Sequence, residues 1–142
     1  MTYEEFIDQV EQQTIIRSRD QAVEATRVTL ETLGERLSLH RTELRHLVSQ
    51  VPDELKGLLR RRTGRDHYTL EEFFRRVAAR LGVGYPEAFA RAHAVLGVLR
   101  QMIPEGERKH ILGELPAEFK ELIQGEGEPP VPKIYTGVQP EE

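Results

Sequence analysis

The feature that most constrains the fold is an internal repeat, in which capping and apolar residues recur after about 64–67 residues. The matched pairs are Thr2 and Thr69, Phe6 and Phe73, Val10 and Val77, Ala22 and Ala88, Leu30 and Leu96, Leu33 and Leu99, Leu47 and Ile111, Pro52 and Pro116, and Leu58 and Leu122. The spacing changes by small steps at predicted loops. A repeat of this length predicts two copies of one structural unit, which bury their apolar faces against each other.

Each copy contains one long segment with helical periodicity, at residues 21–39 and, more weakly, at 87–103. In the first, residues recur every three or four positions and predict one buried face: Ala22, Thr26, Leu30, Leu33 and Leu37. Four charged residues are expected on its solvent-facing side: Glu24, Arg27, Glu31 and Glu35. There, Glu31 and Glu35 would repel each other slightly across one helical turn.

The fold predicted from these patterns is all-α, a tandem duplication of a four-helix unit with a pseudo-two-fold axis. Eight helices are expected, near residues 3–16, 19–37, 40–50, 53–61, 70–81, 86–102, 105–113 and 117–124. The first repeat would cover residues 1–62 and the second 63–124, packed as one domain. Residues 125–142 are rich in Pro, Gly and Glu and predict an extended C-terminal tail.

Capping residues mark several of these helix starts. Thr2 and Thr69, each followed three residues later by Glu, predict capping boxes, as does Ser18, which Gln follows at the same spacing. Ser38 is predicted as the N-cap of the third helix, and Pro52 as the first residue of the fourth.

Composition excludes several classes of protein. The 142 residues carry a net charge of -4, which argues against wholesale binding to polyanions. The chain has no Cys, so disulfides and thiol chemistry are excluded. The N-terminus lacks the features of a signal peptide, and no apolar run is long enough for a spanning helix. These observations predict a soluble cytoplasmic protein without membrane association.

Several stretches resemble one known family. They are Ala25-Thr26, LETLGERLS at 30–38, Leu47, QVPDEL at 50–55, EFFRRVA at 72–78, AVL at 94–96 and LPAEF at 115–119. Together they are similar to the prokaryotic family catalogued as domain of unknown function 2267. The resemblance covers nearly everything before the tail and implies an all-helical fold in a prokaryotic cytoplasm. It brings no activity, ligand or catalytic residue.

No motif in the sequence indicates an enzyme, a cofactor or a metal site. His46 and His110 occupy equivalent repeat positions, so a bridging metal or a pH sensor is conceivable. Zinc sites usually supply further ligands at short spacing, and none is present here. The simpler interpretation is that both are half-exposed helix positions. The chain is therefore expected to be non-enzymatic.

A basic cluster is the sharper candidate for a binding site. Its members are Lys56, Arg60, Arg61, Arg62, Arg65, Arg75 and Arg76, most of them in or near a polar connector at residues 60–66. They would form a positive face that contacts phosphates or an acidic partner. The alternative is that they pair with neighbouring carboxylates, among which Asp53, Glu54, Asp66 and Glu72 are the nearest in sequence.

The tail is the second candidate. Pro130 and Pro132, followed by the apolar Ile134 and Tyr135, favour a polyproline conformation that docks on the body of the protein or on a partner. The functional hypothesis is therefore a protein–protein interaction or regulatory module. Nucleic-acid or polyanion binding through the connector is the alternative, and an enzyme ranks below both. The sequence specifies neither the partner nor the oligomeric state.

Overall fold

The computed structural model describes residues 1–112 and residue 117, and these residues are all-helical, without strands. The described helices are α1 (Tyr3–Glu11), α2 (Arg19–Leu37), α3 (Arg41–Val48), α4 (Asp53–Arg60), α5 (Leu70–Leu81), α6 (Tyr85–Met102) and α7 (Glu105–Leu112). The predicted helix at 117–124 lies outside the described residues, apart from residue 117. The predicted tail at 125–142 lies outside them entirely, with Pro130, Pro132, Ile134 and Tyr135.

Helix α2 is the centre of the fold. It packs against α1, α3, α4, α5 and α6, while α6 also packs against α1 and α5, and α3 packs against α7. The predicted stripe of Ala22, Thr26, Leu30, Leu33 and Leu37 is fully buried, as expected. Because neighbours cover α2 on more than one side, Val28, Thr29 and Thr32 are buried as well. Residues from α1 to α6 form one continuous apolar core around it.

Side-chain caps fix the starts of three helices. Thr2 accepts a hydrogen bond from the Glu5 N–H, and the Glu5 carboxylate accepts one from the Thr2 N–H, which confirms the first capping box. Ser18 caps α2 and Thr69 caps α5 by accepting the N–H of their N3 residues. The capping box predicted at Thr69 is only half formed, because the carboxylate of its N3 residue, Glu72, bonds to arginines instead. Gly82 ends α5 with φ +72°, a left-handed conformation that glycine adopts without strain.

The structure corrects three details of the predicted helices. Helix α1 stops at Glu11 instead of continuing to residue 16, because the chain turns so that Ile16 packs into the core. Ser38 follows the last residue of α2, and His40 occupies the N-cap position of α3. Pro52 precedes α4 as its N-cap, so Asp53 is the first helical residue. The connector between α4 and α5 covers residues 61–69.

Candidate functional site

The C-terminal half of α2 and the connector are joined by hydrogen bonds. The Gly64 N–H donates to Ser38 Oγ at 2.8 Å, and Arg36 Nε donates to the Tyr68 carbonyl at 2.8 Å. Tyr68 Oη donates to the Thr32 carbonyl at 3.0 Å. Arg36 is only 1% exposed. The connector therefore lies across α2 as an ordered part of the fold.

Helix α4 approaches the same end of α2 without a side chain between them. A Cβ atom added at Gly34 would lie 1.9 Å from the Leu59 carbonyl oxygen. Such a contact is impossible between unshifted backbones, so only glycine permits this crossing. Gly64 is also closely packed, since an added Cβ would lie 2.9 Å from the Glu35 carbonyl oxygen.

The expected solvent-facing position of Glu31 is wrong. Its side chain is 2% exposed and lies near three arginines, at 3.4 Å from Arg27, 3.1 Å from Arg61 and 3.4 Å from Arg62. The connector covers this side of α2, which a helical wheel treats as open to water. Three guanidinium groups supply the positive charge that a buried carboxylate needs.

Glu35 is the second acidic centre that the helical pattern misplaced, since its side chain is 11% exposed. It lies 3.3 Å from Arg76 and 3.1 Å from Arg80, and it accepts a hydrogen bond from Tyr68 Oη at 3.3 Å. Burial alone would raise the pKa of Glu35, but the hydrogen bonds and charges of Arg80 and Arg76 outweigh burial and hold its pKa below the ordinary value. Burial is also the main reason that the pKa of Tyr68 is raised. Glu31 and Glu35 therefore have separate sets of arginine partners, whose attraction opposes the mild repulsion expected between the two carboxylates. We call these two carboxylates and their arginines the charged network.

The structure divides the predicted basic cluster into paired and unpaired members. Arg61 and Arg62 pair with Glu31, and Arg76 pairs with Glu35 and with Glu72 at 3.0 Å. The Arg76 guanidinium also lies 3.9 Å from the centre of the Tyr68 ring, where cation–π attraction adds to its pairing.

The remaining members do not contact Glu31 or Glu35. Lys56 pairs with Asp53 at 3.4 Å, and Arg75 pairs with Glu71 at 2.7 Å and with Glu72 at 3.4 Å. Arg60 and Arg65 are exposed, and neither forms an ion pair with another described residue. Of the four carboxylates named from sequence, Asp53 and Glu72 take part in these pairs.

Only one of the two histidines paired by the repeat, His46, has a described side chain. His46 lies on α3 and His110 on α7, and these two helices pack against each other. The side chain of His110 lies outside the described residues. A different pair is in contact: the rings of His40 and His67 lie 5.2 Å apart with an edge-to-face geometry. Within residues 1–112, no three His, Asp or Glu side chains are placed to hold a metal ion together.

A cleft of about 450 Å³ opens where α2, α3 and the connector meet. Its lining residues are Ser38, Leu39, His40, Arg41, Thr42, Glu43, Thr63 and Gly64. Leu39 is 42% exposed, whereas Glu43 is only 5% exposed. The Ser38 hydroxyl lies 2.7 Å from the Glu35 carbonyl and accepts the Gly64 N–H, so it is bonded to backbone and not set up as a nucleophile.

No pattern in the sequence predicts this cleft. Its two halves are separated by about 20 residues, and no spacing rule connects 38–43 with 63–64. One local signal was present: an apolar Leu39 directly follows a long helix and lies among polar residues. That signal alone does not distinguish a rim position from a core position.

The geometry defines an all-helical protein in which a buried charged network holds a connector against a central helix. The chain belongs to the family described as uncharacterized conserved protein (DUF2267), whose sequence model matches residues 3–122. This membership confirms the resemblance drawn from LETLGERLS and the related stretches. A search of curated proteins finds no match to the chain. None of the described helices is both long and apolar enough to cross a membrane.

Proposed function

We propose that this protein is a non-enzymatic protein–protein interaction module of the prokaryotic cytoplasm, and that the cleft between α2, α3 and the connector is its recognition surface. The supporting observation is the composition of the cleft. It combines an exposed apolar side chain, Leu39, with a buried carboxylate, Glu43. Recognition sites commonly combine apolar surface with a few polar groups that fix orientation.

The charged network supports this choice by contrast. Glu31 and Glu35 have the burial expected of functional carboxylates, but their arginine partners join parts of the fold together. Perturbed charged groups occur in structural ion-pair networks as well as in active sites. Four of the ion pairs join α2 to the connector or to α5, so we assign the network to assembly and the cleft to recognition.

Two matched substitutions test the proposal. Leu39→Glu places a charge in the cleft lining, and Val23→Glu places one at a similarly exposed apolar position on α2, outside the cleft, since Val23 is 38% exposed. Wild-type protein, L39E and V23E are used as baits in lysate of the source organism, with quantitative mass spectrometry. A partner retained by wild type and V23E and lost by L39E is expected. If no captured protein depends on Leu39, the assignment of the cleft is wrong.

A second candidate function rests on Arg60 and Arg65. Both are exposed, and neither pairs with a carboxylate in the part of the chain that the structure describes, so they are available to an anionic partner. Two cations are few for nucleic-acid binding, which usually engages more phosphates. This candidate therefore ranks second.

We further propose that the chain arose by tandem duplication, with helices α1–α3 equivalent to α5–α7. The contacts between helices support this assignment: α1 packs on α2 and α6, while α5 packs on α6 and α2. The α2–α6 and α3–α7 contacts join equivalent helices. An alignment of the first halves of family members with the second halves should place Phe6 on Phe73 and Leu33 on Leu99. A different preferred register would contradict the duplication.

A further inference from the structure

Glu43 has lost the backbone partner that its position normally provides. It is the third residue of α3, where a Glu side chain usually accepts a hydrogen bond from the N–H of the N-cap residue. In this protein the N-cap is His40, and its N–H already donates to the Leu37 carbonyl at 2.7 Å. No other donor among the described residues bonds to the Glu43 carboxylate, which is only 5% exposed.

Neighbouring cations in the described part of the chain do not replace that partner. Arg41 also lines the cleft, but it is exposed and forms no ion pair with Glu43 in the described structure. Arg61 and Arg62 belong to the connector that forms the opposite wall, but both pair with Glu31. The favourable end of the α3 dipole partly stabilises the Glu43 charge. Glu43 lines the cleft, and its carboxylate oxygens are not among the fully enclosed polar atoms without a partner. Its hydrogen-bond donors therefore come from the cleft, as water or as a ligand.

The remaining walls of the cleft favour an organic cation over other ligands. An anion would be repelled by Glu43. Calcium prefers six to eight oxygen ligands, and one carboxylate with two threonine hydroxyls falls well short of that number. Leu39 provides an apolar rim, against which the methylene stem of a lysine or arginine packs while its charged group reaches inward. A volume of about 450 Å³ accommodates such a side chain.

We propose that the cleft binds a lysine or arginine side chain of a partner protein, and that the Glu43 carboxylate accepts hydrogen bonds from its ammonium or guanidinium group. This inference rests on the proposed function, because it names the chemistry that the interaction surface recognises. Leu39 contacts the stem of the inserted side chain, and Thr42 and Thr63 stand at the rim. The cationic group of the partner takes the place of the His40 N–H, which donates to the Leu37 carbonyl and not to Glu43.

The test is a titration of the full-length, ¹⁵N-labelled protein followed by NMR. The probes are the blocked peptide Gly-Gly-Arg-Gly-Gly, the same peptide with neutral citrulline in place of arginine, and agmatine. The arginine peptide is expected to shift the amides of Thr42, Glu43, Thr63 and Gly64 saturably. The citrulline peptide should bind about tenfold more weakly or worse, because hydrogen bonds to a charged group are the stronger ones.

Two glutamine variants separate recognition from general charge. Glu43→Gln should weaken binding of the arginine peptide about tenfold or more, while keeping the circular dichroism spectrum of the wild type. Glu54→Gln is the matched control, since Glu54 is an exposed glutamate in the first turn of α4. It should leave the affinity unchanged. Equal binding of the arginine and citrulline peptides, or an unaffected E43Q, would overturn the proposal.

Further outcomes distinguish a small free cation from a side chain of a partner protein. They also distinguish failure of the cation site from failure of the proposed interaction surface. Binding of agmatine without binding of the arginine peptide would identify a small free cation and overturn the assignment to a partner protein. A captured partner lost with L39E but retained by E43Q would preserve the interaction surface and overturn the cation assignment. Conversely, Glu43-dependent binding of the arginine peptide, with no captured protein that depends on Leu39, would support the cation site and count against the proposed function.

Discussion

Substituting Gly34 with Ala tests whether the close crossing of α2 and α4 holds this part of the fold together. The new methyl carbon would lie 1.9 Å from the Leu59 carbonyl oxygen, 2.7 Å from its carbonyl carbon and 3.0 Å from its Cα. All three are backbone atoms, so no side-chain rotation relieves the clash. The two helices must separate by about 1 Å or more, which loosens a close-packed contact.

The magnitude follows from two opposing terms. Overpacking a core costs about 1–3 kcal/mol, and a clash with backbone belongs at the upper end of that range. Replacing glycine by alanine inside a helix returns about 1 kcal/mol through helix propensity. We therefore expect G34A to lose about 2 kcal/mol of unfolding free energy, equivalent to a fall in Tm of roughly 4–8 °C for a chain of this length.

Gly57→Ala is the matched control, because Gly57 lies in α4 and a Cβ there would meet nothing within 4 Å. It should gain about 1 kcal/mol from helix propensity alone. Urea unfolding followed by circular dichroism at 222 nm compares both variants with the wild type. If G34A is as stable as the wild type or more stable, the crossing is not as tight as the structure places it. If G57A is destabilised, the propensity term has been assigned the wrong sign.

Further predictions concern the charged network and the connector. Glu35→Gln should lower the unfolding free energy by about 1.5–3 kcal/mol at neutral pH. Because the folded-state pKa of Glu35 lies below its ordinary value of 4.5, this difference should be full above about pH 4.5 and should diminish as the pH falls below it, which urea melts near pH 7 and pH 3 measure. Tyr68→Phe should lower the unfolding free energy by about 1–3 kcal/mol, because the hydroxyl hydrogen bonds are lost. Tyr3→Phe is the control, at a half-buried tyrosine with no such bond among the described residues, and should lower it by less than about 0.5 kcal/mol. Thermal unfolding compares the two variants. If duplex DNA binds through Arg60 and Arg65, the slope of log K against log salt should be about −2 and reversal of both charges should abolish binding; a slope near −5 would mean that the paired arginines also contact phosphate.

Periodicity was sufficient to predict most of the helical framework. The stripe from Ala22 to Leu37 is buried because spacing of three and four places those residues on one face whatever surrounds the other faces. Capping chemistry placed the starts of α1, α2 and α5, because Thr2, Ser18 and Thr69 act on N–H groups only three residues away. These are local interactions, and a sequence read along the chain contains them directly.

The long-range interactions could not be predicted in this way. Glu31 and Glu35 look solvent-facing on a wheel, but the wheel contains neither the connector nor α5, which carry their partners Arg62 and Arg76. Ser38 was assigned as a helix cap because Ser before a helix commonly is one. Its hydroxyl instead accepts the N–H of Gly64, 26 residues away. Pairing at such distance depends on how the helices cross.

The same contacts explain why LETLGERLS at 30–38 is the most recognisable stretch of the chain. Gly34 admits the backbone of α4, Glu35 binds arginines of α5, Arg36 bonds to the backbone of Tyr68, and Ser38 fixes Gly64. Each of these residue types is required by a different contact with α4, the connector or α5, so the motif records how the fold is assembled. A binding function is then expected beside this motif, where polar residues are not already committed to assembly.

The segment directly after the motif meets that condition. In the turn after α2, the His40 N–H donates to the Leu37 carbonyl at the end of that helix. This N–H is the group that would normally donate to a Glu at the position of Glu43. Closing the central helix therefore leaves a buried carboxylate facing a cleft whose other wall is the connector. Because Gly64 is held by Ser38, the charged network and the hydrogen bonds of α2 also fix the geometry of that cleft. Loosening the network, as in Glu35→Gln, should accordingly weaken the binding of the arginine peptide even though Glu35 does not line the cleft, and NMR titration of that variant under conditions where it remains folded would detect the coupling.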